Sequence, residues 1–479
     1  MMFEAVIGLE VHAQLLTSTK IFCACSTQSA MPPNTNTCPV CMGMPGVLPV
    51  LNRKVVDFGI MLGHATGCCI TPMTEFSRKN YFYPDLPKGY QITQHTTPLC
   101  SDGHLDIESD GNSKRIRIMR IHMEEDAGKS LHMTGEPHTC LDYNRSGVPL
   151  LEIVSEPDMR SGEEAAAYLR ELRQVLMYLG ICDGTMEEGS FRCDANISLK
   201  KPESDTYGTR TEIKNMNSFR NVQKAIDYEI SRQRAILESG GEVVQETRLF
   251  NASDSTTAPM RSKEESHDYR YFPEPDLLPV VVDDAWIKGL ESTMPELPAV
   301  LRKRLLEVYG LPAYDAGVLT QTKALAYYFE ECAQGIDAPK DISNWIMTEV
   351  LRILNETGMS LSSFPVKPAM LADLISLVHR GDISGHMAKE VFSTMALTGR
   401  TAQDIVQEKG LSQLSDEAMI AEKAKEIIEA FPEEAARYRN GKVGLLSFFV
   451  GRLMGETKGK ANPKLANRIM KDMLDKPSG

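Results

Sequence analysis

Four short strand-like stretches of this chain carry carboxylates and histidines where a sheet would ordinarily present apolar residues. They are Glu10-Val11-His12, His122-Met123-Glu124-Glu125-Asp126, Leu151-Glu152-Ile153-Val154-Ser155-Glu156 and Glu187-Glu188-Gly189-Ser190-Phe191-Arg192-Cys193-Asp194. Side chains two residues apart on a strand share a face, so Glu10 points with His12, Arg120 and His122 with Glu124, and Arg192 with Asp194 and Asn196. A sheet that gathers these segments stacks like charges, which is untenable unless cations neutralise them. Hard carboxylate oxygens suit magnesium, and magnesium beside Lys and Arg suits phosphoryl transfer. The chain reads as an enzyme. Glu10, His12, Glu125 and Glu152 are the first choice of magnesium ligands, with Glu124, Glu188 and Asp194 as a second ring.

With 479 residues the chain has room for two to four domains. Its net charge of −13 argues against a protein that coats nucleic acid non-specifically, so any RNA contact must be local. No signal-peptide pattern opens the sequence and no run of apolar residues is long enough to cross a membrane; a cytoplasmic protein is expected. Eleven cysteines, an odd count in a long chain, favour reduced thiols over disulfides.

Residues 1–294 mix short β-like runs with Gly, Pro and Asn turns. One clear helix is expected from Gly162 to Met177 and another from about Asn221 to Ser239. This part reads as an α+β domain with a mixed sheet. After Met294-Pro295-Glu296-Leu297-Pro298 helical patterns take over: Val300 to Tyr309, Gln321 to Ala333, Ile342 to Glu356 and Pro368 to His379. The expected division is 1–294, an all-helical 295–408 and a helical tail 409–479. From Gly441 to the end there are eight Lys/Arg against three Asp/Glu, so the tail is the basic pole.

Cys23-Ala24-Cys25 and Cys38-Pro39-Val40-Cys41 place four thiols within 19 residues. That spacing suits a tetrahedral zinc site, and four thiolates leave no open coordination position, so the zinc is expected to be structural. A second constellation, Phe76-Ser77-Arg78-Lys79-Asn80-Tyr81-Phe82-Tyr83-Pro84-Asp85, interleaves cations with aromatics and suits phosphates beside a stacked base. Met260-Arg261-Ser262-Lys263-Glu264 and Asp268-Tyr269-Arg270-Tyr271-Phe272-Pro273-Glu274-Pro275-Asp276 repeat that chemistry and are expected in the wall of the site. Gly128-Lys129-Ser130 imitates the end of a P-loop, but Met123 stands where its first glycine must be. No dinucleotide-binding fingerprint and no Ser-centred hydrolase elbow is present.

These motifs together carry a family resemblance. Val6 to His12, Arg78 to Asp85, His122 to Lys129, Asp142-Tyr143-Asn144-Arg145-Ser146-Gly147, Glu187 to Asn196 and Asp268 to Asp276 match, over essentially the whole length, the B subunit of the tRNA-dependent amidotransferases, the GatB family. The resemblance implies a cradle domain, a helical domain and a helical tail. It also implies a reaction: ATP and magnesium phosphorylate the side-chain carboxylate of Glu mischarged on tRNA(Gln), or of Asp on tRNA(Asn), and ammonia displaces the phosphate. The implied partners are an amidase A subunit that supplies ammonia, a small C subunit and the mischarged tRNA. Glu10, His12, Glu125 and Glu152 match the family's metal-binding region, with Glu124 beside them. Arg78, Lys79 and Tyr81 are inferred contacts to ATP or substrate, and Arg192 and Asp194 are grouped with the cofactor. Lys458, Lys460 and Lys464 stand where the tail would meet tRNA phosphates. Thr257-Ala258-Pro259 departs from the family pattern ahead of Met260-Arg261-Ser262. Two other readings compete: a two-metal nuclease or phosphatase would use the carboxylates without ATP, and a non-catalytic tRNA-binding scaffold would not use them at all.

Overall fold

The structure, a computed structural model, describes residues 3–132, 135, 137–260, 269–411, 417–457, 461 and 463–475. The chain divides into two compact units, Met1–Pro298 and Ala299–Gly479.

The first unit is built on a nine-stranded mixed sheet. In chain order its strands are β1 (Glu4–Gln14), β2 (Cys69–Ile70), β3 (Cys100–Ser109), β4 (Asn112–Glu125), β5 (Pro149–Ser155), β6 (Phe191–Lys200), β7 (Thr211–Lys214), β8 (Glu246–Asn251) and β9 (Thr256–Pro259). Their order across the sheet is β9-β8-β7-β6-β1-β5-β4-β3-β2, so β1 is the middle strand. All neighbours are antiparallel except β7 and β8. The period-two pattern of β1 explains its place. Leu9, Val11 and Ala13 are buried on one face, while Gly8, Glu10, His12 and Gln14 are half-buried on the other.

Three helices cover the apolar face: α1 (Arg53–Ala65), α2 (Gly162–Tyr178) and α3 (Phe219–Glu238). Asn52, Ser161 and Ser218 cap their N-termini through side-chain oxygens, which satisfy otherwise orphaned N–H groups. Helices α2 and α3 fall where the periodicity predicts them. Helix α1 lies outside the expected helices: its polar face is limited to Arg53, Lys54, Asp57 and His64, and two glycines interrupt the pattern. The glycines are needed for close packing: a Cβ on Gly59 would stand 2.3 Å from Leu99 Cδ2, and one on Gly63 2.5 Å from Cys100 Sγ. A small antiparallel sheet, Phe272–Pro273, Ser77–Asn80 and Tyr90–Thr93, belongs to the same unit.

The described residues of the second unit form helices without strands. The predicted helix Ile342 to Glu356 is interrupted by a π turn, Ile346–Val350, between Pro339–Trp345 and Leu351–Thr357. Four C-terminal helices, Glu417–Ala430, Pro432–Arg439, Leu446–Glu456 and Pro463–Leu474, share a core of their own around Ile420, Phe449, Leu453 and Met470. Among the described residues no helix is long and apolar enough to cross a membrane.

Candidate active site

The four acidic segments do meet in one sheet, and strand register brings their side chains into two rows. One row across β6, β1, β5 and β4 reads Arg192, His12, Glu152, His122. The adjacent row reads Asp194, Glu10, Val154, Arg120. Glu124 lies one step further along β4, opposite Leu150, on the same face as His122.

At the centre, His12 Nε2 stands 3.4 Å from Glu124 Oε1 and 3.4 Å from Glu152 Oε2, and His122 Nε2 lies 3.2 Å from Glu152 Oε2. Ligand atoms of His12, Glu124 and Glu152 all fall within 4.8 Å of one another. Adjacent ligands of an octahedral ion with ~2.1 Å bonds stand about 3 Å apart, so a small contraction would seat magnesium between these donors. The donor chemistry fits as well, two hard carboxylates and one imidazole with room for water or phosphate oxygens.

Without a cation the charges must balance among themselves. Burial disfavours the imidazolium of His12, but Glu124 and Glu152 outweigh it and raise its pKa to about 10. Glu152 is driven well below the usual carboxylate range, because contacts with His12 and His122 overcome its burial. Glu10 moves the other way: burial and then the charge of Glu152 raise its proton affinity, against the hydrogen bond that Asn196 Nδ2 donates at 2.8 Å.

The expected residues separate by face. Glu125 follows Glu124 on the strand and therefore points away from it. Its carboxylate is held by Lys88 Nζ and by the Ile92 N–H, not by His12. The structure thus brings Glu124, rather than Glu125, to His12 and Glu152. Glu188 is exposed in the turn before β6 and joins neither row. Asp194 is paired with Lys214 Nζ at 2.6 Å, and Arg192 with Asp126 at 3.0 Å.

Alternation also divides the cation-aromatic segment. Arg78 is fully engaged, bidentate to the buried carboxylate of Glu274 at 2.7 and 2.8 Å and 3.1 Å from Asp276. It clips the strand Ser77–Asn80 to Phe272–Pro273 and contacts no part of the acidic cluster. Lys79 lies on the other side. Its ammonium sits 4.7 Å from the Tyr269 ring centroid, forms no ion pair with a described residue, and has its pKa raised by Glu124 against its burial. Tyr81 packs edge-on to Tyr269, and burial followed by the charge of Glu124 raises its hydroxyl pKa.

An open cleft of about 260 Å³ lies over the cluster, walled by Lys79, Arg120, His95 and Tyr271. Tyr271 belongs to a segment expected in the wall; Arg120 and His95 are additions to it. Arg120 donates to the Gln94 carbonyl at 2.7 Å and the His95 carbonyl at 3.2 Å, and His95 stacks on Tyr271 with ring centroids 3.9 Å apart. His122 and Lys214 also stand outside the expected site residues, although His122 shares a face with Glu124 in the sequence pattern. Residues 261–268, including Arg261, Lys263 and Asp268, lie outside the described residues.

The four cysteines converge too, with sulfur atoms within 4.8 Å of one another. Tetrahedral zinc with 2.3 Å bonds spaces its sulfurs about 3.8 Å apart, so the cluster fits that ion. Cys41 is the thiol most favoured for ionisation: a hydrogen bond from Cys23 lowers its pKa against its burial, and the Lys20 ammonium, 3.7 Å away, acts in the same direction. The Asn-rich spacer is zipped to the loop after Asp142. The Asn34 amide N–H donates to Asp142 Oδ1, Tyr143 N–H to Asn34 Oδ1, and Asn36 N–H to Asn144 Oδ1. In the tail, Lys464 is exposed on the helix Pro463–Leu474, whereas Lys458 and Lys460 lie outside the described residues.

Comparison with known proteins agrees with the motif pattern. Residues 5–288 match the family described as the GatB/GatE catalytic domain, and residues 327–474 match the GatB domain. A protein of Thermodesulfovibrio yellowstonii is 55% identical over 474 residues, covering 99% of this chain and 100% of the relative. Relatives from Geobacter sulfurreducens, 54% identical, and Carboxydothermus hydrogenoformans, 52% identical, cover 99% of this chain and 100% and 99% of their own lengths. All three are named as the B subunit of an aspartyl/glutamyl-tRNA(Asn/Gln) amidotransferase.

Proposed function

Because this chain belongs to the GatB family, the B subunits of tRNA-dependent amidotransferases, we propose that it activates the side-chain carboxylate of a mischarged aminoacyl-tRNA with ATP and directs its amidation. The substrates are Glu on tRNA(Gln), Asp on tRNA(Asn), or both. The observation that carries this reading is the convergence of His12, Glu124 and Glu152 in one cleft with Lys79, whose ammonium forms no ion pair with a described residue.

A carboxylate resists attack by ammonia until one oxygen becomes a phosphate leaving group. Bound magnesium, held by His12, Glu124 and Glu152, would supply charge neutralisation between the γ-phosphate and the acceptor carboxylate. Lys79 and Arg120 face the same cleft and would hold phosphate oxygens, which are otherwise repelled by the carboxylates. In the second step ammonia forms the C–N bond, phosphate leaves and one proton is released. Glu10, with its raised proton affinity, is the base available for that proton.

The remaining assignments follow from family membership. An amidase A subunit would deliver ammonia, and a small C subunit would complete a cytoplasmic assembly. The zinc of Cys23, Cys25, Cys38 and Cys41 would be structural. A three-part division at 294 and 408 belongs to the same reading, with Lys464 and its neighbours Lys458 and Lys460 as tRNA contacts.

The test uses the chain co-purified with its partners, given labelled glutamyl- and aspartyl-tRNA, ammonium and magnesium, with and without ATP. Glutamine or asparagine on the tRNA only when ATP is present is the expected result. Tight tRNA binding without any amide would replace this reading with a scaffold, and RNA cleavage without ATP would replace it with a nuclease.

A further inference from the structure

Lys20 is the only fully buried lysine among the described residues. A buried ammonium destabilises the fold unless its three N–H donors are accepted and its charge is offset. The donors are accounted for. Nζ lies 2.7 Å from the Asn36 carbonyl oxygen, 3.4 Å from that of Tyr143 and 3.7 Å from Cys41 Sγ. The charge is not, since Lys20 forms no ion pair with a described residue. The two carboxylates that line the same cavity are committed elsewhere, Glu125 to Lys88 and Asp276 to Arg78. Of the three groups that accept from the ammonium, only the sulfur can carry a negative charge.

The cysteine cluster has the complementary need. Four thiolates around one divalent zinc carry a net double negative charge, and here Cys41 is buried while Cys23, Cys25 and Cys38 are half-buried. Such a charge is tolerable away from water when N–H donors meet the sulfurs and a cation stands beside them. Cys41 Sγ has both: the Cys38 N–H donates to it at 3.2 Å, and the Lys20 ammonium is its cation. The backbone also fixes the lysine to the knuckle, because its N–H donates to the Cys25 carbonyl at 2.9 Å. Through the carbonyls of Asn36 and Tyr143 the same ammonium joins the Asn-rich spacer to the loop after Asp142, along the seam that the side chains of Asn34 and Asn144 close. An apolar side chain would fill a buried position at less cost, so a lysine kept there answers a charge.

We propose that Lys20 is the counter-ion of the zinc centre: its ammonium offsets the charge of the thiolates and its N–H···S bond holds Cys41 at the ligand position, so retention of the metal depends on a residue that does not ligate it. The role rests on the zinc reading above and is independent of the ATP-dependent reaction. It also runs in reverse. Loss of zinc removes the charge that the buried ammonium offsets, and Lys20 then opens to water together with the spacer and loop it ties.

The test compares the wild type with Lys20→Met in the purified complex, measuring zinc content and then competition for zinc by a chromophoric chelator. Losing an outer-shell partner costs about 10–100-fold in metal affinity, so the variant should give up its zinc at correspondingly lower chelator concentration. Cobalt substituted for zinc supplies a signature that a packing defect would not move: the sulfur-to-cobalt charge-transfer band should shift to lower energy once the N–H···S bond no longer stabilises the sulfur lone pair. Unchanged manganese binding at His12, Glu124 and Glu152 verifies that the variant folds. The wild type carries a second readout that needs no substitution. Mass spectrometry after amine acylation should find Lys20 protected in the zinc-loaded complex and modified once zinc is chelated. Equal zinc retention with an unshifted band in the folded variant, or a Lys20 that stays protected after zinc is removed, would overturn the counter-ion role while leaving the zinc site standing. A wild-type complex that neither contains nor takes up zinc would overturn the zinc reading and this role together.

Discussion

Cation binding at His12 should release a proton, so the affinity of the acidic cluster for a divalent ion should climb steeply with pH. In the cation-free protein Glu124 and Glu152 hold the imidazole pKa at about 10 despite its burial. Nε2 can coordinate only after losing that proton. Each pH unit below the pKa costs ~1.4 kcal/mol, so at pH 7 the cost is ~4 kcal/mol, about a thousandfold in apparent affinity. Calorimetric titration of manganese or magnesium into the complex, in buffers of different ionisation enthalpy, reads both quantities. About one proton should leave per ion at pH 7, and the affinity should rise about tenfold per pH unit toward pH 9. His12→Asn should abolish both effects. A pH-independent wild type, or an equal slope in the variant, would mean that the carboxylates hold the ion alone and the imidazolium stays a bystander. The same raised pKa stabilises the cation-free fold fully below about pH 6.5, the unfolded value, and that stabilisation is lost as pH rises through about 10. Metal-free protein should therefore lose Tm across that alkaline window, while metal-loaded protein should not.

Glu152→Gln should lower ATP-dependent amide formation by about a hundredfold or more, with tRNA affinity nearly unchanged; lost tRNA binding would argue against a role confined to the chemistry. Glu274→Ala removes the bidentate partner of Arg78, leaving only Asp276 at 3.1 Å, and should cost about 1–3 kcal/mol locally, seen as faster hydrogen exchange in Ser77–Asn80 and Tyr90–Thr93. Gly63→Leu forces a side chain against Cys100 and Ile70 and should destabilise the first unit by about 1–3 kcal/mol, measured by thermal melting; an unchanged Tm would refute the packing argument. Titrating the thiols with a mercurial should release one zinc per chain and open the 26–41 loop to protease, without changing manganese affinity at His12.

The sheet and its charged face were legible because strand alternation is local: Glu10 with His12, and Arg120 and His122 with Glu124, can be paired by counting residues. The same counting could have preferred Glu124 to Glu125, since only one of two consecutive strand residues can face a given cluster. Arg78 was not legible. A cation among aromatics reads as a phosphate contact, and nothing local reveals that Glu274, 196 residues away, already occupies it. Helix α1 escaped for another reason: its polar face is only Arg53, Lys54, Asp57 and His64, and the glycines at 59 and 63 lower its helical propensity. The π turn at Ile346–Val350 has no signature in the apolar pattern either.

Placing Glu10 and His12 on the middle strand of nine has a mechanical consequence. Each is bracketed by hydrogen-bonded neighbours on both sides, so the floor of the site cannot fray, and electrostatic repulsion among its carboxylates cannot be relaxed by bending the backbone. Whatever yields during a catalytic cycle must therefore be the rim: the short strands Ser77–Asn80 and Phe272–Pro273. Slow exchange of the amides of Glu10 and His12 beside faster exchange in those rim segments would be the signature of an anvil under a working surface.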